Sequence, residues 1–257
     1  MQRKLYQLYE RTENYQSAFK IYNHLVNTRP DNDDIAIYFA QFLIRRKSWQ
    51  EAIDALKNVS PDDEPIVSFF IGYSYFQINE FELSKVHLLN FIISDEQPEI
   101  IHEAFLYLAK IEFEFQDFDS SKKYVKKASL LLSDNWELYF LKAKINYVNG
   151  SLTLAMKEIN TALKLNNTEP MLYSWAGKIC LKSQDYKLAE SHFLKYLGLS
   201  ETPLAENIVN LAKSQLKQKK FKDAISNYDE ALKLDPENQE LQNERKQILK
   251  MIDGKTA

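Results

Sequence analysis

One pairing recurs along this chain at nearly constant intervals: a bulky apolar residue followed three positions later by Ala or Ser. It occurs at Tyr15/Ala18, Trp49/Ala52, Phe81/Ser84, Phe118/Ser121, Leu152/Ala155, Tyr186/Ala189 and Phe221/Ala224, with successive spacings of 34, 32, 37, 34, 34 and 35 residues. A period in that range marks stacked units, each burying its apolar face against its neighbours instead of around one central core. Because such an array grows linearly, 257 residues do not imply two globular domains, and the chain is read as one continuous domain.

Two further columns fix the register. Small residues recur on the preceding segment as Ala40, Gly72, Ala109, Ala143, Gly177 and Ala212, with Tyr6 as the exception. Helices approach closely where both supply small side chains, so a small-to-small contact within each helical hairpin is expected. Downstream, Tyr22, Leu56, Leu88, Val125, Ile159, Phe193 and Tyr228 are followed three residues later by Leu25, Val59, Phe91, Ala128, Ala162, Tyr196 and Ala231. Spacings of three and four residues put these on one helical stripe. All seven prolines (Pro30, Pro61, Pro65, Pro98, Pro170, Pro203 and Pro236) fall between units, and only the junction at 133–135 lacks one. A proline inside a helix costs about 3 kcal/mol, so this placement supports the register independently.

In these columns the chain resembles the tetratricopeptide repeat family, whose unit is a hairpin of helix A, turn and helix B about 34 residues long. The last unit, FKDAISNYDEALKLDPENQE, carries Phe221, Ala224, Tyr228, Ala231 and Pro236 in the family's columns, and YKLAESHFLKYLGLSETP and LTLAMKEINTALKLNNTEP follow the same pattern. The resemblance implies an all-α, right-handed α-α superhelical solenoid. Its units fall at about 1–32, 33–63, 64–98, 99–134, 135–168, 169–203 and 204–236, with a capping helix over 237–253 bearing Leu241, Ile248, Leu249 and Ile252. Three departures stand out: the unit after Trp49 is short by two residues, the spacing around Phe91 to Phe118 is long by three, and Lys142 stands where an apolar residue is usual. The chain starts inside a helical pattern, as though a longer polypeptide continued upstream. Leu5, Leu8 and Tyr9 would then form an apolar edge open to self-association.

The chemistry of catalysis is not spelled out. No glycine-rich phosphate loop, His-Glu-x-x-His or Cys-x-x-Cys occurs, and His24, His87, His102 and His192 are spread over different units. The single Cys180 falls on an inward helical stripe and reads as a small buried hydrophobe. The expectation is a protein with no enzymatic activity, cofactor or metal. A net charge of −3 lacks the basic excess of a nucleic-acid binder. The KKYVKK run at 122–127 falls on a helix B and reads as a solvated outer face. With no long apolar run, the chain reads as soluble and cytoplasmic, an upstream signal or anchor being left open.

In the family, helices A line the concave face, and register carries that face onto this sequence. One inward position gives Gln7, Gln41, Tyr73, Lys110, Lys144, Lys178 and Lys213. Four residues earlier come Arg3, Ile37, Phe69, Leu106, Phe140, Ser174 and Val209, and three residues later Glu10, Ile44, Phe76, Phe113, Tyr147, Leu181 and Leu216. The expected groove joins exposed aromatics (Phe69, Tyr73, Phe76, Phe113, Phe140, Tyr147) to a ladder of lysines. Two plainer readings stay open: the aromatics pack between neighbouring helices A, and the lysines are neutralised by Glu103, Glu137 and Glu206. A subgroup of the family clamps acidic C-termini with Lys and Asn; here Asn210 alone resembles a clamp position. The resemblance implies a scaffold for a protein or peptide partner carrying apolar and acidic residues. Single-stranded RNA binding, or a regulatory domain attached to an enzyme beyond these residues, are the alternatives.

Overall fold

From Trp49 onward, each bulky residue of the recurring pair starts a helix. The structure, a computed structural model, describes residues 15–28, 32–94 and 98–253. Helices α1 (Tyr15–Thr28), α3 (Trp49–Leu56), α5 (Phe81–Ser94), α7 (Phe118–Ala128), α9 (Leu152–Leu165), α11 (Tyr186–Leu199) and α13 (Phe221–Leu234) are the helices B. Their partners, the helices A, are α2 (Asp33–Arg45), α4 (Ile66–Gln77), α6 (Pro98–Glu114), α8 (Trp136–Val148), α10 (Pro170–Lys182) and α12 (Ala205–Lys217), and α14 (Gln239–Asp253) stands in the capping position. The chain is all-α among the described residues. Arg3, Leu5, Tyr6, Gln7, Leu8, Tyr9, Glu10 and Pro30 lie outside them, as do the side chains of Tyr15, Ala18 and Ile252.

Contacts divide the chain into two compact units, 1–132 and 133–257. The division falls at the one junction without a proline. In both units the small columns are sealed: Ala52, Ala155, Ala189 and Ala224 of helices B, and Ala40, Ala109, Ala143 and Ala212 of helices A, are fully buried. Where Ser replaces Ala, the hydroxyl finds the facing helix. Ser84 Oγ donates to the Gly72 carbonyl and Ser121 Oγ to the Ala109 carbonyl, each at 2.7 Å. A buried hydroxyl without such a partner would cost about 1–3 kcal/mol, so the geometry admits Ser only because the helices are this close.

The glycines of that column also meet a bulky partner, beside the small-to-small contact that Ser84 makes with Gly72. A Cβ added at Gly72 would lie 2.9 Å from Leu88 Cγ, and one at Gly177 would lie 2.7 Å from Cε1 and Cζ of Phe193. The bulky stripe of helix B fills the space a side chain would need. That stripe is buried throughout, from Tyr22 and Leu56 to Phe193 and Tyr228.

The turn between helices A and B is the same in six hairpins. Lys47, Asn79, Gln116, Gly150, Gln184 and Lys219, each two residues before helix B, have φ between 60° and 75°. Around Gln184, its N–H donates to the Leu181 carbonyl (3.2 Å) and the Asp185 N–H to the Cys180 carbonyl (2.9 Å). This pair of bonds satisfies carbonyls that helix A would otherwise leave open. Five of the six positions do so without glycine, although a side chain in that region costs roughly 1–2 kcal/mol.

The long spacing is absorbed inside a helix, whereas in the short unit a helix is cut back and the connection over 57–65 lengthens. α3 has 8 residues where the other helices B have 11 to 14, and α6 has 17 where α4, α8, α10 and α12 have 12 or 13. Adding about one turn of 3.6 residues lengthens a helix while keeping its face. Pro98 and Pro170 open α6 and α10, the position where proline's missing N–H costs least. Lys142 does not shift the register: Ala143 is fully buried, and Lys142 lies 4.8 Å over the Tyr139 ring.

The glycine contacts give a prediction of opposite signs. Gly177→Ala drives a methyl into the buried Phe193 ring and lowers stability by about 1–3 kcal/mol. Gly198, also helical but with nothing within 4 Å of an added Cβ, gains about 0.5–1 kcal/mol from Gly198→Ala. Urea unfolding midpoints of the two variants should move in opposite directions.

Candidate functional site

Within each unit, successive helices A touch: α2 with α4 and α4 with α6 in the first, α8 with α10 and α10 with α12 in the second. Among the described residues, no two successive helices B make comparable contact. Helices A are therefore the inner layer of each unit, and their solvent-facing side chains form its distinctive surface.

In the first unit that surface holds an aromatic cluster. Tyr107 of α6 sits 5.0 Å from Tyr73 and 5.1 Å from Phe76, both of α4, measured between ring centroids. Lys110 Nζ lies 4.8 Å from the Tyr107 centroid and 5.7 Å from that of Phe76. The second unit repeats the plan. Trp175 of α10 meets Phe140 (6.0 Å) and Tyr147 (5.5 Å) of α8 edge to face. Lys144 Nζ lies 5.6 Å and Lys178 Nζ 5.5 Å from the Trp175 ring. Lys182 Nζ lies 4.3 Å from the Tyr147 ring and donates to its carbonyl at 3.4 Å.

Equivalent positions build both seats. Phe76 and Tyr147 follow the small column by four residues, Tyr107 and Trp175 precede it by two in the next helix A, and Lys110 and Lys178 follow it by one. An ammonium over an aromatic face gains about 0.5–1 kcal/mol at exposed sites, which holds each lysine across its rings instead of free in water. Each seat presents an apolar floor with a positive rim. That arrangement suits a side chain or peptide segment with an apolar part and a carboxylate.

Several expectations need correction. Phe69 is not exposed: it is 6% accessible and packs among Phe91 (5.3 Å), Tyr73 (6.3 Å) and Tyr107 (6.5 Å). Ile37, Leu106, Ser174 and Val209 at the same position are buried too, because this position faces the neighbouring helices and not the surface. Tyr73, Phe76, Phe113, Phe140 and Tyr147 are half-buried, and Phe113 meets Phe118 of its own hairpin edge to face at 5.4 Å. Two lysines of the ladder meet carboxylates. Lys178 pairs with Glu206 at 2.8 Å and Lys213 with Glu244 at 3.2 Å. Lys110 belongs to the first unit; Lys144, Lys178 and Lys213 belong to the second.

Sequence reasoning missed Tyr107 and Trp175. The signal was present as an aromatic residue three positions before the lysine column, one residue on from a position that was chosen. Burial and the Glu206 carboxylate raise the Tyr147 phenol pKa, so that ring stays neutral and available as a face. The lysines of the 122–127 run are exposed on α7, as read from sequence. Cys180 is buried, its thiol pushed up to about 12 by burial and then by Asp185, which makes it an inert core residue.

Two buried carboxylates have structural partners. Glu112 of α6 meets Lys85 of α5 at 2.8 Å, and this bond raises the lysine pKa against the opposing effect of burial. Glu190 of α11 accepts from Lys220 (2.6 Å), Gln218 (2.8 Å) and Gln215 (3.3 Å) of the following hairpin. Burial pulls the Glu190 pKa up, and those three donors with the Lys220 charge more than offset it. Both groups tie one hairpin to the next. Among the described residues, no group of three or more His, Cys, Asp or Glu gathers as a metal site, and no helix is long and apolar enough to cross a membrane.

Comparison with known proteins follows the same lines. The family model of the tetratricopeptide repeat matches residues 208–238. A search of curated proteins gives no match. Among solved structures, the chain is similar to a chain of the APC/C hetero-tetramer Cut9-Hcn1, at 17% identity and TM-score 0.65, over 93% of this chain and 47% of that one. It is also similar to a tetratricopeptide repeat protein from Parabacteroides merdae, at 16% identity and TM-score 0.65, over 96% of this chain and 95% of that one. Pseudomonas aeruginosa pilF matches at 13% identity and TM-score 0.70, over 86% of this chain and 99% of that one. The first of these is about twice as long as this chain; all three share its fold.

The Glu112 pair supplies a test of the structural role. Lys85→Met leaves a carboxylate buried without its cation and lowers stability by about 1–3 kcal/mol, discounted because Lys85 is a third exposed. Adding Glu112→Leu should recover most of that loss, as read in a double-mutant cycle of urea midpoints.

Proposed function

We propose that this tetratricopeptide repeat chain is a non-catalytic scaffold, and that the helix A face of each unit holds a segment of a partner protein carrying apolar and acidic residues. The observation that carries the reading is the repeated seat: Phe76, Tyr107 and Lys110 in the first unit, Tyr147, Trp175 and Lys178 in the second, at equivalent positions. Half-open aromatics occur on other faces too, Phe105 and Tyr124 under Lys127 among them, but on the helix A face rings and lysine recur at equivalent positions in both units. A half-open ring with an ammonium across it gains most when a partner removes both from water and supplies a carboxylate.

The similar folds support this reading by analogy. One belongs to a chain found in a hetero-tetramer, and the fold is typically a protein-binding one. The buried carboxylates Glu112 and Glu190 are committed to ion pairs and amide bonds between hairpins, and the Cys180 thiol is sealed, so these three groups are engaged in holding the array.

Charge reversal of Lys110, Lys144 and Lys178 together should weaken partner capture from the native source at least tenfold. Helicity and melting temperature should stay within a few degrees of the parent. Capture at parental strength by the triple variant would remove the lysines from the account.

A further inference from the structure

The second unit's seat is occupied from within. Glu206, in the first turn of α12, reaches Lys178 at 2.8 Å, and Lys178 in turn lies over Trp175. The two partners are unequal. The Lys178 side chain is 20% accessible and that of Glu206 63%. The lysine is fixed by the ring beneath it and the helices around it, while the carboxylate approaches from solvent. After burial, the Glu206 charge is the second cause of the raised Tyr147 pKa.

A carboxylate held on an ammonium above an aromatic floor is the chemistry the seat was argued to recognise. We propose that Glu206 is an internal stand-in for an acidic side chain of the partner, and that binding exchanges the Glu206–Lys178 pair for one between the partner's Asp or Glu and Lys178. The inference rests on the groove reading above. It adds a named competitor and so a regulation of affinity. The exchange is favourable in outline, because an ion pair with one exposed member is worth little in water. The incoming segment, moreover, brings apolar surface to cover Trp175 and Tyr147. The occupant is a protein segment with an acidic residue next to an aromatic or aliphatic one. An RNA strand could also stack bases on these rings, but a chain of net charge −3 lacks the basic excess its phosphates call for.

The test uses random dodecapeptides displayed on phage and selected on the full chain, with the best sequence then made as a synthetic peptide. Enriched sequences should place Asp or Glu within two residues of an aromatic residue or leucine. By calorimetric titration, Glu206→Gln should bind the peptide about two- to fivefold more tightly than the parent, since the competitor is gone. Lys178→Glu should bind it at least tenfold more weakly. If Lys178→Glu weakens binding while Glu206→Gln leaves it unchanged or weaker, the stand-in role is overturned and the groove reading stands. If peptides are selected whose affinity is indifferent to Lys178→Glu and to reversal of Lys110 and Lys144, both readings fall.

Discussion

Everything in this molecule depends on how closely helix A can lie against helix B within a hairpin. The approach is set by residues with almost no side chain. Ser84 and Ser121 reach carbonyls of the facing helix at 2.7 Å, and Gly177 leaves room for Phe193 alone. A methyl added at Gly72 or Gly177 would push against Leu88 or Phe193. The bulky stripe would then lose its burial, and with it the surface that the next hairpin stacks on.

That constraint separates the residues into two populations. The columns nearest the hairpin axis are committed to packing and repeat with little variation, in both units alike. Between hairpins there is more freedom, and different hairpins use it differently. Lys85 with Glu112, and Glu190 with Gln215, Gln218 and Lys220, are polar answers. Cys180, packed with Met156 at the edge of its cluster, is an apolar one. Mismatched neighbours would bury a carboxylate against an apolar face, so these pairs favour one order of hairpins over another. The solvent-facing stripe of helices A is freer still, and there the aromatic–lysine seats appear.

Much of this was legible in the sequence, and the limit has a physical origin. Periodicity reports which side of a helix a residue occupies, so Trp49, Phe81 and Phe221 marked the start of each helix B and Ala143 held the register despite Lys142. Periodicity does not report how far round the helix a neighbour's shoulder extends. Phe69 and Tyr107 lie one residue apart in column terms; the first position is covered by the adjacent helices and the second is half-open. Only packing distinguishes them. The ion pair of Lys85 with Glu112 was invisible for a related reason, since its members lie 27 positions apart on helices that become neighbours only in the fold. Lys178 with Glu206 was foreseen as a possible neutralisation, but not that the pair sits above Trp175.

The central claim is that partner recognition uses the helix A face and that the rest of the array serves to present it. A photoreactive benzoylphenylalanine placed at Tyr107 or Trp175, and for contrast at the exposed Leu154 or Leu188 on helices B, tests this directly when the chain is irradiated in extract from its native source. The account predicts crosslinked partner peptides from positions 107 and 175, mapping to segments rich in apolar and acidic residues. Crosslinks arising from 154 and 188 but not from 107 or 175 would contradict it.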